Sequence, residues 1–253
     1  MQESPQFPYF VKESIKEAKK LLHSFRESSG LKSDYVYEIY LPPTTDQPEP
    51  KWQDVDKEAC RAEIANRQKP LSLIQHAEQI LDKPIFIRKP GIPENRVSAY
   101  VLNKEACALI AIALSNNNCN TRMLICKELM HLFTFSVESA TDTPEKASQL
   151  AHDILYYDLN LETEQLAIGR LKQCSSDAAA WYGALELLMP SDTVPKIRAL
   201  KKELISSGTC PGKENYEIAC LLKMPEHAVS FRLSESSDHI FEVEQPSTAG
   251  LTG

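Results

Sequence analysis

One stretch limits the possible folds more than any other: residues 106–135, ACALIAIALSNNNCNTRMLICKELMHLFTF. Residues 106–114 are apolar throughout, as a central strand covered on both faces would be. SNNNCN then supplies a polar turn, with Asn120 or Thr121 available as a helix cap. Residues 121–135 read as one amphipathic helix. Two upstream segments offer strand partners: PIFIRKP at 84–90 and RVSAYVL at 96–102. Both are short, rich in β-branched and aromatic residues, and bounded by turn-formers such as Pro90-Gly91 and Asn103-Lys104. The expected core is a small sheet of three strands, its last strand leading into a helix.

That helix carries KELMH at 127–131, one substitution from H-E-x-x-H. In the full motif two histidines lie one turn apart and bind zinc, and the glutamate takes a proton from the zinc-bound water. Here Glu128 and His131 are in register, but the first ligand position holds Lys127. An ammonium cannot coordinate a metal, and its charge repels a dication. Cys126 does not replace the missing ligand, because it points about 100° away from the His131 face. The motif taken alone also fits an ordinary helix, with solvated Lys127 and Glu128 and a hydrogen-bonded core histidine.

The remaining chain reads as mostly helical. Val11, Ile15, Ala18, Leu22 and Phe25 form one apolar stripe along residues 8–29, and Gly30 ends it. The stripe fits a helix docked on its own domain better than a short dimerising coiled coil. LPPTTDQPEP at 41–50 reads as an extended linker, followed by helices at about 53–67 and after Pro70. Beyond Phe135 the pattern predicts helix over about 145–172 with a break near Asn160. Ser175-Ser176-Asp177 then looks like the start of a new helix, DAAAWYGALELLMP, with Asp177 as a capping carboxylate and Glu186 on a solvated face. Further helices are expected at 193–206, 214–222 and 226–233. The last twenty residues look like a tail.

Composition bounds the class. The chain has 253 residues, a net charge of −7 and no apolar run of membrane-spanning length. The net charge argues against broad affinity for nucleic acid or anionic lipid. Seven scattered cysteines with no C-x-x-C pair fit reduced thiols in a cytoplasmic protein. MQESPQFPYF lacks a basic region followed by an apolar run, so no secretory leader is expected.

The order of short strands, apolar strand, polar turn, R-x-x-x-x-[H/K]-E-L-x-H helix and a later helix ending A-L-E-L-L-M-P resembles the ImmA/IrrE-like metallopeptidase family. The resemblance covers about residues 70–190. It implies an α+β, zincin-like fold in which a small mixed sheet carries an active-site helix layer. N-terminal helices and a C-terminal helical segment flank that layer. The corresponding division is 1–69 N-terminal extension and linker, 70–190 metallopeptidase-type domain, 191–233 C-terminal segment and 234–253 tail. The resemblance further implies a zinc site with Glu128 as base and His131 and Asp177 as ligands. The partner would be a protein, such as a repressor cleaved or otherwise engaged, in regulation of the bacterial or phage type. The chain departs from the pattern at Lys127 in place of histidine and Asp177 in place of glutamate. It also separates the two motif helices by about forty residues. These departures predict impaired zinc binding, with an active zinc endopeptidase as the alternative. In the metal-free version, Lys127 lies among Glu128 and Asp177 and takes the metal's electrostatic place. His152, on the intervening helix, is a further candidate ligand, although a surface histidine explains it as well.

The pair 214–222 and 226–233 could form a helix-turn-helix offering His227, Ser230 and Arg232 outward to DNA. Residues 201–233 hold five basic and four acidic side chains, which is no strong phosphate-tracking face. A packing or protein-contact role is the expectation.

Overall fold

The computed structural model describes residues 7–30, 38–39, 57–67, 69–89, 98–113, 116–134, 164–208 and 210–241. Among these are nine helices and one three-stranded sheet, so the fold is α+β and mostly helical. The linker at 41–50, the segment 135–163 with His152, and residues 242–253 lie outside the described residues.

Strand β1 (Ile85–Arg88), β2 (Ala99–Asn103) and β3 (Ala108–Ile112) form a mixed sheet in the order β1-β3-β2. β3 is central and buried at every position, parallel to β1 and antiparallel to β2. The period of two sorts its side chains. Ile110 sits opposite Ile87 and Val101 and joins the main core. Leu109 sits opposite Phe86 and Leu102, and these with Tyr100 make a smaller apolar cluster on the other face.

Helix α1 (Phe7–Ser29) buries its whole predicted stripe, from Val11 to Phe25. It ends at Gly30, whose φ of +69° suits a residue without a Cβ. The stripe belongs to the chain's own core, which leaves it no face for coiled-coil pairing. Helix α2 (Lys57–Asn66) precedes α3 (Leu73–Leu81), which starts at Ser72, whose hydroxyl accepts from the Gln75 N–H at 3.3 Å.

Helix α4 (Asn118–Thr134) starts three residues earlier than expected. Its cap is Asn117, whose side-chain oxygen accepts from the Asn120 N–H at 2.8 Å. Neither Asn120 nor Thr121 performs that task, because the helix is already formed there. Helix α5 (Glu164–Leu188) runs unbroken through Ser175-Ser176-Asp177, which corrects the expected helix start. Ser176 is buried, and the residues that follow include Ala179 and Ala180, both fully buried, so packing overrides the local capping signal. α5 packs most extensively on α1 and α4.

The chain continues through α6 (Val194–Ser207), α7 (Glu214–Leu222), α8 (Glu226–Leu233) and α9 (Glu235–Phe241). The α7–α8 turn places Lys223 at a φ of +53° before Pro225. α9 corrects the expected tail: Ser237 and Phe241 are buried, and Phe241 is part of the main core. Among the described residues, no helix is long and apolar enough to cross a membrane.

Candidate functional site

Lys127 and His131 stand one turn apart on α4, and Glu128 follows Lys127 on the same exposed-to-buried boundary. Opposite them α5 presents Asp177. Because α5 is continuous, Asp177 is a mid-helix residue facing a neighbour and not a helix cap. Lys127 Nζ donates directly to Asp177 Oδ1 and lies 3.6 Å from Glu128 Oε1. His131 Nε2 lies 3.4 Å from the same Asp177 oxygen. The structure thus brings together Lys127, Glu128 and His131 of the first motif and Asp177 of the second.

Their burial is unequal. The Glu128 side chain is 4% exposed and that of Lys127 16%, whereas Asp177 is 49% exposed. The expectation of solvated Lys127 and Glu128 is therefore overturned. Burial pulls the Lys127 pKa down, but the carboxylates of Glu128 and Asp177 outweigh it and hold it above the ordinary lysine value. Burial pushes Asp177 up, but the His131 contact and the Lys127 charge bring it down to about 2. Lys127 and Asp177 are therefore an ion pair over the whole neutral range.

The residues do not fit a resident zinc ion. Glu128, His131 and Asp177 can each aim one ligand atom to within 4.8 Å of the others, so the donors converge. The ammonium nevertheless touches the Asp177 oxygen that a metal would use. With a zinc–oxygen bond of about 2 Å, an ion there would sit within about 4–5 Å of Nζ. At an effective dielectric near 20, a dication about 4 Å from an ammonium is repelled by roughly 8 kcal/mol. Complete structural zinc sites bind with about 10–16 kcal/mol, so an incomplete site has little left to offset that repulsion. Cys126 is fully buried, its thiol pushed up to about 12 by burial against a smaller opposing effect of Arg122, and it is not among the convergent ligand atoms.

A second polar cluster was not foreseen. Glu186, expected on a solvated face, is 2% exposed. It accepts from the Ser191 N–H at 3.0 Å, the Ser191 hydroxyl at 2.7 Å and Arg232 Nη2 at 3.1 Å. Arg232, placed outward in the helix-turn-helix alternative, is 1% exposed. It also donates to the Met189 carbonyl at 3.2 Å and stacks 3.7 Å above the Phe241 ring. Burial pushes the Glu186 carboxyl up, opposed by the Ser191 hydrogen bonds and the Arg232 charge, and pushes Arg232 down, opposed by the Glu186 and Asp238 charges. Arg198 adds a bidentate pair with Asp238 at 2.8 and 2.9 Å. These contacts fasten α8 to the end of α5 and α9 to α6, so Arg232 is a packing residue. His227 and Ser230 remain exposed on α8. The sequence signal for Glu186 was a lone charge inside ALELLM, a run otherwise apolar.

Compared with family models and with curated proteins, the chain has no match.

Proposed function

We propose that this chain is an ImmA/IrrE-like regulatory protein that engages a protein partner, such as a transcriptional repressor, without zinc proteolysis. In this reading the three-stranded sheet and α4 are a zincin-type layer whose metal position has been taken over by a lysine. The observation that carries it is the Lys127 ammonium, paired with Asp177 and lying 3.6 Å from Glu128 where a ligand set would need an open centre. A hydrolase of the H-E-x-x-H kind needs a metal to acidify its water, and Glu128 without such a water has no proton to take. What the frame still offers is a shaped surface built on a well-packed core.

The rival reading is an active zinc endopeptidase that cleaves the repressor. One observation favours it: Glu128, His131 and Asp177 converge to within 4.8 Å. A third reading, DNA binding through residues 214–233, has lost Arg232 to the core. Incubating the purified chain with the candidate repressor separates the first two. A stable complex with intact repressor supports partner binding. Cleavage that is blocked by a chelator and lost in Glu128→Gln overturns it. Retardation of DNA that weakens with salt would support the third.

A further inference from the structure

We infer that Ser24, His76 and Ser28 are a nucleophile, its base and the group that orients the base, and that Ser24 takes acyl groups from activated esters. This activity goes beyond partner binding and uses no residue of the α4–α5 cluster. Ser24 and Ser28 stand one turn apart near the end of α1, and the His76 ring of α3 bridges them. Ser24 Oγ lies 2.8 Å from His76 Nε2, and Ser28 Oγ lies 3.2 Å from His76 Nδ1. A hydroxyl at this distance from a base, with a third group on the base's other nitrogen, is the arrangement that activates a serine. His76 is 5% exposed and packs with its ring centroid 5.7 Å from that of Phe25. Ser24 is partly open to solvent and Ser28 is exposed, so a reagent in solution reaches the hydroxyl.

The proton positions follow from Ser28. A serine hydroxyl carries one proton, and Ser28 gives its proton to the Phe25 carbonyl at 3.1 Å. Toward His76 it can only accept, so Nδ1 carries the ring proton and Nε2 a lone pair. Ser24 donates to that lone pair, which is the polarity a general base requires. Among the described residues, the groups that face the ring are Ser24, Phe25 and Ser28 from α1 and Gln79 from α3, all uncharged. Burial lowers the His76 pKa against a smaller opposing hydrogen bond from Gln79, so the base is neutral at about pH 7. As Ser24 Oγ bonds to the acyl carbon, its proton passes to Nε2. The ester C–O bond breaks, and the leaving alcohol takes that proton. Water then attacks acyl-Ser24 through the same base, releasing a carboxylic acid and restoring the hydroxyl. Backbone N–H groups inside a helix are bonded within it, so α1 offers no oxyanion donor of its own at Ser24. The substrate class is therefore esters with good leaving groups, and not peptides.

The test treats the full chain with a fluorophosphonate probe and with 4-nitrophenyl acetate, followed by intact mass and peptide mapping. The expected result is a single adduct per chain, at Ser24, and none in Ser24→Ala. Its rate should fall as pH drops through the lowered His76 pKa, and should fall about 100-fold in His76→Gln. Ser28→Ala should move the pH midpoint lower, because the imidazolium loses its acceptor at Nδ1, and Ser28→Thr should restore it. Absence of a Ser24 adduct in folded wild type overturns the inference, as does a labelling rate that is flat from about pH 5 to 8. A folded His76→Gln variant that labels like wild type also overturns it. Where that variant does not fold, the wild-type pH profile decides. An unmoved midpoint in Ser28→Ala removes Ser28 from the set.

Discussion

Removing Lys127 leaves Glu128, 4% exposed, without its neighbouring positive charge, and leaves Asp177 facing it across the helix interface. Breaking a fully buried pair costs about 3–5 kcal/mol, and an exposed one less than about 1 kcal/mol. With Asp177 half-exposed, Lys127→Ala should fall between, at about 2 kcal/mol, or a melting point lower by about 4–8 °C. An unchanged melting point in a thermal scan would remove the electrostatic role assigned to Lys127. The acid side gives a second check. Asp177 has a depressed pKa of about 2 against an ordinary 3.8, so its stabilising contribution is complete above about pH 4. It is lost as pH falls from there through 2. Urea titrations across that window should show a shallower loss of stability in Asp177→Asn than in wild type. Solvent screening at the half-exposed carboxylate keeps the difference small.

At the scale of elements, α1, α4 and α5 cross so closely that a glycine is needed. A Cβ on Gly183 would lie 2.9 Å from Met130 Cγ and would collide with Ser14 Oγ. Gly183→Ala should therefore destabilise by about 1–3 kcal/mol, even though alanine favours a helix by about 1 kcal/mol. Among the described residues Ser14 Oγ is buried without a hydrogen-bond partner, so Ser14→Ala should be neutral or stabilising in the same urea assay. The Glu186–Arg232 pair makes the opposite case. Arg232→Ala leaves a buried carboxylate and should cost about 3–5 kcal/mol, while Glu186→Leu/Arg232→Met together should cost far less. If the single and double variants melt alike, the pair does not anchor α8 to α5.

The same elements explain what could be read from the sequence. The α1 stripe was legible because burial follows the helix period, and the central place of β3 because a strand covered on both faces is apolar at every position. The start of a helix at Ser175-Ser176-Asp177 was misread because a capping signal is local, whereas the continuity of α5 comes from packing against α1 and α4. Arg232 and Glu186 were placed outside because charge suggests solvent. Each is buried only because the other, forty-six residues away in sequence, arrives to pair with it. The Lys127 cluster was the reverse case. Spacing put Lys127 and His131 on one face, whereas Asp177 was singled out only by the resemblance of its helix to a family motif, its local signal reading as a helix cap.

For the whole molecule, one core joins the N-terminal helix, one face of the sheet, α4, α5 and the C-terminal helices. The C-terminal helices α8 and α9 are fastened to the rest of the core through Arg232, Arg198 and Phe241. The frame around α4 and α5 is thus built to hold Lys127, Glu128, His131 and Asp177 in fixed relation, with the ammonium supplying the positive charge. The most direct test is the zinc content of wild-type protein produced in zinc-supplemented medium and purified without chelator. The account predicts far less than one zinc per chain, with a melting point that chelator leaves unchanged. One tightly held zinc per chain, removed by chelator with a loss of stability, would contradict it.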